Sequence, residues 1–275
     1  MIYLKYVLSI ILLSGSVYSQ INISLQKVII LPENLVNNEF HPTNLSVNRT
    51  GFYFLDSFNR QVAFLSNDGQ IEFAGGYGLG NDAFIDPIEI LSSNLRVWIV
   101  DRTENKLIEF DHKLNFLRII EFDQFYPKFS GIDDWGNILL LSEQEHMIFK
   151  ANPPFENFIE FIDLSNNINE CISGFHVSSD GTAGILSNGN NSIYLFNRLG
   201  KLENIFHLED NDSKYLIKLS DSWFVISFKG HITSIRHNEK VALPKEQNIV
   251  DVTQMDSKLY LLFSDQIWVV DVSME

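Results

Sequence analysis

Two arginines, Arg60 and Arg102, each follow a short apolar run that ends in an aspartate. The runs are Phe52-Tyr53-Phe54-Leu55-Asp56 and Val97-Trp98-Ile99-Val100-Asp101. A guanidinium presents a planar fork of donors matched to a carboxylate or phosphate, so two on neighbouring loops of one face would hold an anionic group. Asn59, Asn105 and His146 lie in loops of the same kind, and His176 sits within an apolar stretch; their side chains could add hydrogen bonds to that ligand. Asp56 and Asp101 have a simpler expected role, accepting backbone N–H bonds in the turn that follows each strand. No Ser-His-Asp constellation and no cysteine nucleophile accompany these residues, so none is assigned a catalytic role. The metal and cofactor questions stay open, although Glu39, Asn44, Asp86 and Asn137 supply oxygen donors of a suitable type.

The elements that must position these side chains recur along the chain. Six apolar runs end at Asp56, Asp101, Ser142, Ser187, Ser227 and Ser264, spaced by 45, 41, 45, 40 and 37 residues. A repeat of about 40–45 residues is the period of a four-stranded propeller blade. Turn formers such as Asn48-Arg49-Thr50-Gly51 and Ser179-Asp180-Gly181 precede the runs, where tight hairpins demand positive φ. A third strand follows each run. The sixth unit lacks an outer strand at its C-terminal end, whereas residues 21–31 form an apolar segment ahead of the first unit. In a ring these are neighbours, so the expected architecture is all-β: a six-bladed β-propeller closed by the N-terminal strand completing the last blade.

Composition narrows the partners. The chain has 275 residues, 20 Lys+Arg against 35 Asp+Glu, and a formal net charge of -15, which argues against nucleic acid as the main partner. Residues 1–19 read as a secretory signal peptide: Lys5, the apolar run from Val7 to Leu13, then small residues before Gln20. Ser16 stands where a lipoprotein would carry its acylated cysteine, so no stable membrane anchor is expected. The propeller domain is then 20–275, in a secreted or periplasmic monomer. The one cysteine, Cys171, is expected as a small buried hydrophobe.

The stretch Gly75-Gly76-Tyr77-Gly78-Leu79-Gly80 with Phe84 and Pro87, the run ending at Asp101, and Asn105-Lys106-Leu107-Ile108 resemble the NHL repeat. Leu55-Asp56 and Asn59-Arg60-Gln61-Val62 are similar to it in the preceding unit, while Ser142, Ser187, Ser227 and Ser264 replace the aspartate later. The resemblance implies a non-catalytic binding platform for a protein, peptide or glycan. The alternative is a metal-dependent hydrolase or lactonase using the axial funnel.

Overall fold

Ile138–Ser142 and Ala183–Ser187 are apolar at successive rather than alternate positions, and every residue in both is buried. A strand covered on both faces needs that pattern. Leu202–His207, by contrast, is largely exposed, as an outermost strand should be. In the computed structural model, which describes residues 21–37, 39–78, 80–93, 95–168, 171–209 and 212–274, these strands assemble into six four-stranded antiparallel sheets. The leader segment 1–19 lies outside the described residues, as do Asp210 and Asn211. Among the described residues no helix is long and apolar enough to cross a membrane.

Five blades are consecutive meanders covering residues 44–75, 87–121, 129–163, 172–207 and 213–242. The sixth takes three strands from 251–274 and its outermost strand from Ile21–Ile30. That strand pairs antiparallel from Ile21 opposite Met274 to Ile30 opposite Gln266, with one register shift between Leu25 and Lys27. The ring is a six-bladed β-propeller closed as the missing and spare strands require. A short helix, Glu33–Asn37, bridges from the closing strand to blade one.

The core lies between blades. Tyr53, Leu55 and Phe64 of blade one interdigitate with Ile90, Ile99 and Phe110 of blade two. Leu262 and Ile267 of blade six meet Leu45 and Phe54 of blade one in the same way across the closure. Removing one fully buried aromatic from such a seam costs about 3–5 kcal/mol.

Because each blade is a meander, one face of the ring carries the inter-blade connections and the loops between second and third strands. We call this the entry face. One hydrogen bond recurs there in all six blades. The carbonyl of the residue before the third strand accepts the amide just beyond the outer strand: Arg60 from Gly76 (2.7 Å), Asn105 from Phe122 (2.9 Å), His146 from Leu164 (2.8 Å), Asn191 from Leu208 (2.7 Å), Gly230 from Leu243 (3.0 Å) and Asp265 from Leu31 (2.9 Å). The N-terminal strand thus makes the same bond as its sequential counterparts.

Cys171 corrects an expectation. It is exposed, at the end of the connection into blade four, directly before Ile172, and Lys128, remote in sequence, brings its Nζ to 3.8 Å from the sulfur. An inter-blade connection runs over the surface, so a residue there has no core to enter.

Candidate functional site

The six inner strands surround an axial cavity of about 690 Å³. Their relative heights follow from pairing. Opposite the second residue of each third strand stand Leu55, Val100, Leu141, Leu186, Ile226 and Leu262. Their inner-strand partners are Asn44, Glu89, Phe129, Gly174, Tyr215 and Asp251, which therefore form one level at the entry-face end of the cavity.

Hydrogen bonds tie this level together. Asn44 Nδ2 donates to Glu89 Oε1 at 3.1 Å, and the Leu45 amide donates to Asp251 Oδ2 at 2.7 Å. The Tyr215 hydroxyl is shared between the carbonyl oxygens of Ile249 (2.8 Å) and Val250 (2.6 Å). Removal from bulk water, and then the charge of Asp251, push the Glu89 carboxyl up to about 8. Removal from water likewise pushes Asp251 up to about 7, against the pull of its backbone donors and of Lys214.

Below this level the wall is polar and incompletely satisfied. Ser130, on the inner strand Phe129–Ile132, is 7% exposed and its Oγ has no partner. His176 and Gln254 also line the cavity, with Nε2 and Oε1 unpartnered. Desolvation, then the Lys218 cation, pull the His176 imidazole down to about 4, so it stays neutral at neutral pH and its unpartnered nitrogen can take part in a hydrogen bond. Lys218 Nζ donates to Asp180 Oδ2 at 2.6 Å; burial works against this carboxylate, but Lys218 and Thr182 hold it down at about 2. At the far mouth desolvation, then the charges of Asp133, Asp256 and Asp180, raise Asp134.

Of the six residues expected to bind a ligand, only His176 lies in the cavity; Asn44, noted as an oxygen donor, lies there too. The rest of the six belong to the entry face. Arg60, Asn105 and His146 occupy one equivalent position, the left-handed residue before the third strand, with φ of 57°, 49° and 49°. Arg102 stands at the other end of its loop, directly after Asp101, and is thus equivalent to Ser57 rather than to Arg60. Its guanidinium grips Asp86, Nε to Oδ2 at 2.7 Å and Nη2 to Oδ1 at 3.3 Å. Arg60 lies over the Tyr77 ring, 4.8 Å from its centroid. Asn59 donates to the Glu39 carbonyl and to Asp56, and Asn105 accepts from the Tyr126 amide. His146 is exposed.

Asp56 and Asp101 are wholly buried, and each joins its turn to the incoming connection. Asp56 accepts the amides of His41, Phe58 and Asn59; Asp101 accepts those of Ile85, Asp86 and Glu104. Among the described residues no three His, Cys, Asp or Glu side chains gather around a common metal position. The oxygen donors noted from sequence are dispersed: Asn44 bonds Glu89, Asp86 pairs with Arg102, and Asn137 bonds Asp133 at the far face.

The face around the cavity is rich in exposed aromatics. Phe58 and Tyr77 are each 82% exposed, and Tyr126 and Phe228 join them on loops of the same face. Sequence reading gave these residues no binding role: Tyr77 lies in a stretch read for its glycines, and a single loop aromatic carries no sign that it faces solvent. Of the ring of Asn44, Glu89, Phe129, Tyr215 and Asp251, only Asn44 was noted from sequence, as an oxygen donor, since no two of the five share a local motif.

No protein-family model matches the chain, and no curated protein matches its sequence. Solved structures match its fold. Virginiamycin B lyase from Staphylococcus aureus superposes with a TM-score of 0.62 at 11% identity, covering 92% of this chain and 99% of that one. A streptogramin B lyase gives 0.61 at 14% identity, over 93% of this chain and 98% of its own. YCF48, solved bound to a D1 peptide, gives 0.58 at 9% identity, over 84% and 78%. At these identities the likeness is one of fold alone, shared by lyases and by a peptide-bound protein.

Proposed function

We propose that the chain is an exported, NHL-like binding module that takes a peptide or protein segment on its entry face. The observation that carries this reading is the set of solvent-facing aromatics there, Phe58, Tyr77, Tyr126 and Phe228, with Arg60 stacked on Tyr77. Exposed large apolar side chains gathered on one face mark interaction surfaces, and Tyr and Arg are the residues that most often dominate binding energy. Arg102, already neutralised by Asp86, serves to hold the connection between blades one and two, leaving Arg60 as the free-standing contact of that pair. The peptide-bound propeller among the similar structures supports such use of the fold. Panning a random peptide library against the protein tests the reading. Peptides recovered should lose about tenfold or more in affinity for the F58A/Y77A double variant. Undiminished binding would place the contact elsewhere.

A further inference from the structure

We propose that the ring of Asn44, Glu89, Phe129, Tyr215 and Asp251 binds an alkylammonium or guanidinium group, delivered by a lysine or arginine side chain of the peptide held on the entry face. The inference rests on the reading of that face as a peptide-binding surface and names the part of the ligand that enters the cavity.

Two carboxyl groups share one level of a walled cavity, and among the described residues neither makes an ion pair. Glu89 uses one oxygen on Asn44, and Asp251 uses one on the Leu45 amide, so each retains acceptor capacity. Uncompensated carboxylates in such a place are costly, and an entering cation removes that cost. Aromatic rings complete the level, and a ring face attracts a cation. The chain's own lysines already use this attraction: Lys214 Nζ lies 4.7 Å from the Tyr215 centroid, and Lys128 Nζ lies 5.6 Å from that of Phe129. One residue deeper, the unpartnered Ser130 Oγ offers a further acceptor. A cavity of about 690 Å³ admits a whole side chain.

The surrounding charges decide the pH response. Glu89 and Asp251 face each other's charge; Lys214 faces Asp251 from blade five, and Tyr215 lies on the same strand. Lys128 of blade three is tied to Glu143 at 2.8 Å. Both carboxyls hold their protons to higher pH than free acids, so a bound ammonium expels protons to solvent and its affinity rises between about pH 6 and about pH 8. Among the described residues Lys214 makes no ion pair, and it is the resident competitor for Asp251.

The test is calorimetric titration with Nα-acetyl-lysine methylamide and its neutral analogue, Nα-acetyl-norleucine methylamide, at about pH 8 and about pH 6. The lysine probe should bind, more tightly at the higher pH, and the norleucine probe should not. E89Q and D251N keep the hydrogen-bond acceptors of the folded ring, and each should weaken the lysine probe about tenfold or more. K214M should tighten it. F58A/Y77A should leave the small probe untouched while weakening whole peptides, which separates this proposal from the surface reading beneath it. Equal binding of the two probes, or lysine binding that survives both E89Q and D251N, overturns the proposal. So does displacement of the probe by Ca2+ held on the same two carboxyls.

Discussion

Glu89 and Asp251 lose more from the fold than they give it. Leaving water disfavours the charged form and pushes the Glu89 carboxyl up to about 8 and that of Asp251 up to about 7, with the charge of Asp251 adding to the shift of Glu89. An unfolded chain releases those protons near pH 4, so from there up to about pH 8 the folded state binds more protons and its stability falls as pH rises. His176 acts in the opposite sense: its imidazole, held at about 4, makes stability rise with pH until about 6.5, where the unfolded histidine also becomes neutral. Of these three groups, only the carboxyl pair contributes between about pH 6.5 and 8. Gln is the neutral isostere of protonated Glu. E89Q should therefore melt with the wild type near pH 4.5 and above it near pH 8, read by thermal scans across that range. Parallel melting curves would mean that Glu89 is not held protonated.

At the scale of elements, closure depends on one strand pairing. Ile21 is buried against blades five and six, and Ile29 packs on the seam between blades six and one, so the N-terminal strand caps an apolar edge as well as pairing it. Deleting residues 21–31 should lower the melting temperature by about ten degrees or more, through lost strand pairing and exposed core. Deleting only 1–19 should leave it unchanged. Equal melts for the two variants would remove the strand from the ring. This pairing was legible in the sequence because a spare apolar segment and a missing outer strand stood at opposite ends of a counted repeat. Tyr53, Ile99 and Leu141 were legible as strand centres because burial on both faces writes a continuous apolar run. The ring at the cavity head was not. Asn44, Glu89, Phe129, Tyr215 and Asp251 differ in type and come from five blades, and only the register of the inner strands brings them level. Arg60 and Arg102 looked equivalent for a related reason: both follow a strand-ending Asp, but the turn between strands separates their places.

At the scale of the whole molecule, charge and address bear on each other. The formal net charge is -15, while the proposed ligand group is cationic, so long-range attraction would speed its capture and weaken as salt screens it. Export is the remaining proposal at this scale. Its support is sequence-borne: Lys5, the apolar run to Leu13 and the small residues to Ser19. The intact mass of the secreted product should correspond to a chain beginning at Gln20 without acyl mass. A secreted chain that retains Met1 would refute cleavage.

The pairing of Ile21 with Met274 also sets an order of events during synthesis. Of the described strands, Ile21–Ile30 leaves the ribosome first and has no partner until the strand ending at Met274 has been made, so blades one to five can form while the circle stays open. Its edge must wait through the translation of every blade between. The contact that closes the ring joins the described strands that lie farthest apart in sequence, the kind of non-local pairing that forms slowly.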